Sequence, residues 1–281
     1  MNQEKEYLFV ATPSYTQTCT EQARQRCCLN WANFGRAFPN VEFGFNNNEC
    51  SNIPLAYQAM YERAKDKGAD WFMSFEADMM PERGGNTFTT LWAALKRRNL
   101  DHIAALYYLN NPEAPWPLIY TEADTEMVGA GDAKPDHPAY INHRAYPENR
   151  MIQVDATGLG ITIIRMDALR RVEEESPYWR KAGDSIFQIA SPFSVDMAIS
   201  FQLRRLGYQL WVHSGVIVDH VSRQPLIINE RMYQKRFGEV YWPDDDPYWD
   251  KRDGQIAKFR RWVKRQIMGF PRPGKVQADA S

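Results

Sequence analysis

The chain has 281 residues, 44% of them hydrophobic and 25% charged, which suits one large core and excludes wholesale disorder. A net charge of −1 excludes nucleic-acid binding driven by overall charge. No apolar run approaches the ~18 residues of a membrane span, and the start, MNQEKEYLFVATPSY, lacks the basic and apolar regions of a signal peptide. The four cysteines, Cys19, Cys27, Cys28 and Cys50, show no paired CxxC spacing. A zinc site is therefore not expected, Cys27 and Cys28 read as free thiols, and the protein reads as cytoplasmic and reduced.

In chain order, YLFVAT (7–12) is a short apolar run that ends at Pro13, a strand followed by a turn. TCTEQARQRCCLNWANF (18–34) reads as a helix that Thr18 or Thr20 can cap, and VEFGFN (41–46) as a weaker strand. NIPLAYQAMYERAKDKG (52–68) is a helix with Leu55, Met60 and Ala64 on an apolar face and Gly68 at its stop. ADWFMSFE (69–76) is almost continuously apolar, as a central strand would be. TFTTLWAALKRRN (87–99) and HIAALYYL (102–109) add a helix and a strand. Residues 110–150, rich in Pro, Asn, Asp and Gly, read as a long excursion with one hairpin.

Regularity returns with IQVDATGLGITIIRMDALRRV (152–172): strand, glycine bend, strand, helix. SPFSVDMAISFQLRRLG (191–207) is a turn leading into a helix, with Phe193, Met197, Phe201 and Leu203 or Leu206 inward. YQLWVHSGVIVDHVS (208–222) is extended, with bends at Gly215 and Asp219. Strands alternating with helices predict an α/β fold: a mostly parallel central sheet with helices on both faces. Ligands in such sheets gather outside the carboxyl ends of the strands.

Three polar clusters occupy ends of elements. Glu76-x-Asp78 follows the central strand, and in extended chain residues i and i+2 point to one side. The pair is either a solvated turn or a site for a hard cation such as Mg²⁺ or Mn²⁺. Asp196 opens a helix, where it or Ser194 serves as a cap or the carboxylate acts as a general base. In Asp219-His220 the imidazole is a metal ligand or a structural histidine, with His213 as the competitor inside its strand.

Order and context of these clusters resemble the GT-A-fold glycosyltransferases, especially the family-2-like nucleotide-sugar transferases of bacteria and their viruses. ATPSYTQ resembles their first strand and nucleotide-binding turn. NIPLAYQAMYERAKDKGADWFMSFEADMMPERG is similar to the helix and strand that lead to their acid-x-acid metal motif. VDATGLGITIIRMDALRRV resembles the glycine segment flooring the active site. SPFSVDMAISFQLRRLGYQLWVHSGVIVDHVS is similar to the acceptor-side acidic helix and the late histidine. The likeness covers roughly residues 6–222.

The resemblance implies a GT-A (Rossmann-like) domain over 1–245 that moves a sugar from a nucleotide-diphosphate donor to an acceptor hydroxyl. Asp78 and His220 would bind Mn²⁺ or Mg²⁺, and Glu76 would assist at the ribose or through water. Thr12, Pro13, Tyr15 and Asn52 would line the donor pocket. Gly158 and Gly160 would let backbone approach the sugar or acceptor, and Asp196 would act as base with inversion. The chain departs from the family in two places: Glu76 stands where Asp is usual, and Val195-Asp196 replaces an acidic pair. Residues 246–281 form a separate tail. Between Lys251 and Lys275 it carries nine Lys or Arg and one acid, Asp253, and reads as a basic amphipathic helix. It either packs on its own domain or offers a surface to an anionic membrane or nucleic acid. The acceptor thus stays open among a saccharide, a lipid-linked saccharide, a protein and hydroxylated bases of DNA, the last making a phage-type DNA-modifying enzyme. A degenerate nucleotide-sugar-binding module is the non-enzyme alternative. Sugar nucleotidyl transfer is the rival chemistry, but TPSYTQTCT lacks the Gly-rich, basic loop it would need.

Overall fold

The computed structural model describes residues 5–14, 21–49, 52–111, 115–122, 140–143, 145–175, 185–187, 194–221 and 227–237. The chain begins β1 (Glu6–Ser14), α1 (Glu21–Ala37), β2 (Val41–Glu49), α2 (Ile53–Asp66), β3 (Trp71–Phe75), β4 (Met79–Met80), α3 (Thr87–Arg98) and β5 (His102–Leu106). It continues β6 (Ile119–Glu122), β7 (Tyr140–Asn142), β8 (Met151–Val154), β9 (Ala156–Thr157), β10 (Ile161–Arg165) and α4 (Met166–Glu175). The last described elements are α5 (Val195–Arg205), β11 (Leu210–Ile217), β12 (Asp219–Val221), β13 (Ile227–Ile228) and α6 (Glu230–Phe237).

A seven-stranded sheet in the order β2-β1-β3-β10-β5-β11-β8 forms the centre. β2, β1, β3, β5 and β11 share one direction, whereas β10 and β8 run against their neighbours. β10 lies antiparallel between β3 and β5. β3 is buried on both faces along its whole length, which explains its unbroken apolar sequence.

Alternate residues of β1 and β3 serve different faces. Leu8, Val10, Trp71, Met73 and Phe75 join Trp31 and Phe34 of α1 and Phe88 and Trp92 of α3 in one cluster. Phe9 stacks on Phe72 with centroids 6.2 Å apart, and Phe187 sits against Phe72 and Tyr57 of α2 on the other side. Each such buried side chain contributes about 1.5–3 kcal/mol relative to exposure.

Local signals explain the element ends. Asn52 caps α2 by accepting the Leu55 N–H at 3.3 Å, and Gly68 leaves the helix at φ 65°, where a Cβ would be strained. Met60 and Ala64 of α2 are buried as expected, but Leu55, in the first turn, is 58% exposed. In α5, Met197, Phe201 and Leu203 face inward, and Leu206 is the C-cap. Phe193, Thr18, Thr20, Cys19, Cys50 and the whole tail 246–281 lie outside the described residues. Cys27 and Cys28 are free thiols.

Within 110–150, β6 pairs antiparallel with β7, as a hairpin does, and β9 adds to its other edge. A second small sheet, β13-β12-β4, joins the segment after β3 to the segment after β11. No helix among the described residues is long and apolar enough to cross a membrane.

Candidate active site

The pairing of β4 with β12 sets Met79 opposite His220 and Met80 opposite Asp219. The Val221 N–H also donates to Asp78 O at 2.8 Å. Two positions 142 residues apart thereby meet: His220 Nε2 lies 3.1 Å from Asp78 Oδ2. The other ring nitrogen, Nδ1, is 2.8 Å from Tyr108 O. A carbonyl oxygen only accepts, so Nδ1 carries the proton and Nε2 is the atom turned to the carboxylate. Burial works against a charged ring, but the hydrogen bond and charge of Asp78 outweigh it and raise the His220 pKa.

These two residues fit a divalent cation. A carboxylate oxygen and an imidazole nitrogen converge, and the far side of the ring is anchored on a backbone carbonyl, the usual support of a ligating histidine. No group of three or more His, Cys, Asp or Glu that could hold a metal occurs among the described residues. Asp219, the neighbouring acid, instead accepts from Arg26 Nη1 at 3.0 Å.

Glu76 differs from Asp78. Its N–H donates to Gly160 O at 2.8 Å, and its Oε1 lies 2.9 Å from Tyr57 Oη. Tyr57 Oη is 2.7 Å from Ser74 Oγ, and Ser74 donates to Leu159 O. The Tyr57 hydroxyl donates to the Glu76 carboxylate and so holds it in place. Burial first, and then the Asp78 charge, push the Glu76 pKa well above the usual carboxylate range, with Asp196 adding to the same effect.

Asp196 stands in the first turn of α5, half-buried, with Oδ1 accepting the Met197 N–H at 3.0 Å and the Ser194 hydroxyl. Burial raises its pKa despite these bonds. Its charge raises the pKa of Glu76, Tyr107 and Tyr120.

Gly158 and Gly160 have a packing reason of their own. A Cβ on Gly158 would overlap Tyr107 Oη, and one on Gly160 would lie 2.8 Å from both Met79 Sδ and Tyr107 Cζ. The space beside these glycines is therefore filled by Tyr107, whose hydroxyl accepts the Gly160 N–H at 2.9 Å. The same ring meets His220 edge-on, centroids 5.8 Å apart.

Of the remaining donor-side candidates, Thr12 and Pro13 lie at the carboxyl end of β1, where Pro13 O accepts the Ala77 N–H at 3.3 Å. That bond joins the β1 terminus to the acid motif. Asn52 is exposed and uses its side-chain oxygen as the α2 cap. Tyr15 lies outside the described residues. Sequence reasoning did not find Tyr57, Tyr107 or Arg26, which sit in ordinary helix and strand positions with no motif around them.

No family model matches the sequence, and no curated protein sequence matches it. Solved structures do resemble the fold. A197 from STIV is 14% identical, covering 80% of this chain and 93% of its own, at a TM-score of 0.45. UDP-glucose pyrophosphorylase complexed with UDP-glucose is 9% identical, with 75% and 90% covered and a TM-score of 0.40. A glycosyltransferase involved in glycosylation of the major capsid of PBCV-1 is 13% identical, with 73% and 81% covered and a TM-score of 0.33. The likeness is of chain path rather than sequence.

Proposed function

We propose that the protein is a metal-dependent glycosyltransferase using a nucleotide-diphosphate sugar. The observation that carries this reading is the convergence of Asp78 Oδ2 and His220 Nε2, 3.1 Å apart, beside the end of β1. A divalent cation such as Mn²⁺ or Mg²⁺ held by these two atoms would neutralise charge on the departing diphosphate, whose oxygens and water would complete its shell. Tyr108 O keeps the His220 ring in the tautomer that offers Nε2. Asp196 takes the proton of an acceptor hydroxyl as it attacks the anomeric carbon, from the face opposite the leaving diphosphate, giving inversion. Burial raises its pKa, which makes it a stronger base than an ordinary Asp. Thr12 and Pro13 place the end of β1 where a nucleoside would lie, next to the acid motif.

Incubation of the full chain with a panel of nucleotide sugars, with Mn²⁺ or with chelator, tests the reading. Release of nucleoside diphosphate from one donor, abolished by chelator and by Asp78→Ala, is expected. Release of pyrophosphate from a nucleoside triphosphate and a sugar phosphate would assign nucleotidyl transfer instead.

A further inference from the structure

We infer that Arg26 and Asp219 form a positioning clamp that sets the Asp78–His220 geometry, an inference that rests on the metal reading of that pair. Arg26 lies in the middle of α1 with its side chain only 10% exposed. Its Nη1 donates to Asp219 Oδ2 at 3.0 Å and to Pro81 O at 3.3 Å. Pro81 directly follows β4 and Asp219 opens β12, so one guanidinium nitrogen spans the two strands that carry the site.

The ladder between those strands is minimal. Only Asp219↔Met80 and His220↔Met79 pair, and Val221 N–H to Asp78 O extends them by one bond. So short an antiparallel contact does not fix strand separation by itself. Asp219 and His220 are adjacent in β12 and point to opposite sides. The clamp therefore holds the back of the strand while His220 faces Asp78 at the front. Asn30, one turn further along α1, repeats the pattern by donating from Nδ2 to Glu82 O at 3.2 Å. α1 thus holds the chain after β4 at three points, Asn33 Nδ2 to Gly85 O at 3.0 Å being the third, and Arg26 links that chain to β12 through one nitrogen. Both bonds leave the same terminal nitrogen, Nη1, and a lysine, whose side chain is one bond shorter, does not bring its ammonium to that place.

The test measures Mn²⁺ affinity of the full chain by electron paramagnetic resonance, together with ¹⁵N-histidine spectra of the metal-free protein. The His220 signal is assigned by its loss in His220→Gln. Arg26→Lys and the near-isosteric Asp219→Asn are each expected to weaken Mn²⁺ binding about 10- to 100-fold, the usual effect of removing an outer partner of a metal ligand. The double variant should be no weaker than the worse single one, since both remove one contact. Both should also shift the His220 ring-nitrogen signals, because the Nε2–Asp78 contact changes when the strands move. Glu175→Gln, which breaks the exposed Arg171–Glu175 pair on α4, is the control and should change neither reading. Mn²⁺ affinity within about twofold of wild type in folded Arg26→Lys and Asp219→Asn would overturn the clamp, as would an unchanged His220 spectrum. Absence of Mn²⁺ binding by the wild type would retire the metal reading, and the His220 spectrum alone would then decide the clamp.

Discussion

His102 opens β5 and His220 sits in β12, 2% and 8% exposed respectively, yet their surroundings give them opposite chemistry. His102 Nδ1 accepts the Trp211 N–H at 3.3 Å, and burial lowers its pKa to about 3. His220 is also disfavoured as a cation by burial, but Asp78 reverses the outcome. A buried histidine bonded to backbone alone is a neutral packing element. A buried histidine with one nitrogen fixed on a carbonyl and the other against a carboxylate is a poised ligand or base. The two histidines thus differ in their partners and not in their burial.

The largest effect belongs to the chemical side. Asp196→Asn should lower transfer about 10²- to 10⁴-fold, the range of general-base removal, with donor binding unchanged by calorimetry. In the wild type, because burial raises this carboxyl above its ordinary value of 3.8, the acid limb of the rate profile should fall off at higher pH than an exposed Asp would give. Full transfer by Asp196→Asn would remove it as base.

Next comes His220→Ala, expected to weaken Mn²⁺ binding about 100-fold or more, beyond the loss from an outer partner, and to cost about 1–3 kcal/mol of stability as the buried Tyr108 carbonyl loses its donor. An equal loss of affinity in His102→Gln would erase the distinction between the two histidines.

The fold side responds to acid. The neutral His102 ring contributes stability that is fully present above its unfolded value near 6.5 and is lost as pH falls toward about 3. Its share of the slope is about 1.4 kcal/mol per pH unit within that window, measurable by urea unfolding between about pH 7 and pH 5. His102→Gln should flatten the slope by that amount; an unaltered slope contradicts the assignment.

The smallest predicted change tests how the two regions join. Gly160→Ala sets a Cβ 2.8 Å from Met79 Sδ and Tyr107 Cζ, and overpacking of this kind costs about 1–3 kcal/mol. It should also weaken Mn²⁺ binding, because the displaced Tyr107 ring lies against His220 and not against His102. Thermal unfolding and Mn²⁺ titration on one sample separate the two effects.

Much of this was legible along the chain. The unbroken apolar run of β3, the Asn52 cap and the Gly68 stop are local features, and local physics determines them. The reversed directions of β10 and β8 were not legible, because strand direction follows the path of the connection rather than the residues in the strand. The apolar pattern of α2 misplaced Leu55, since periodicity gives a face but not how far along it burial runs. At the site, Glu76, Asp78, Asp196 and His220 stood out as charges at element ends. Arg26, Tyr57 and Tyr107 did not, because each gains its meaning from a partner 193, 19 or 53 residues away. The glycines of ATGLG were visible, but the ring that requires them was not.

The central claim is that Asp78 and His220 bind a divalent cation on which donor binding depends. Isothermal calorimetry of UDP with the full chain, in Mn²⁺ and again in chelator, addresses it directly. The account predicts binding in Mn²⁺ that disappears in chelator and in Asp78→Ala. Equal UDP affinity with and without the metal, or in Asp78→Ala, would contradict it.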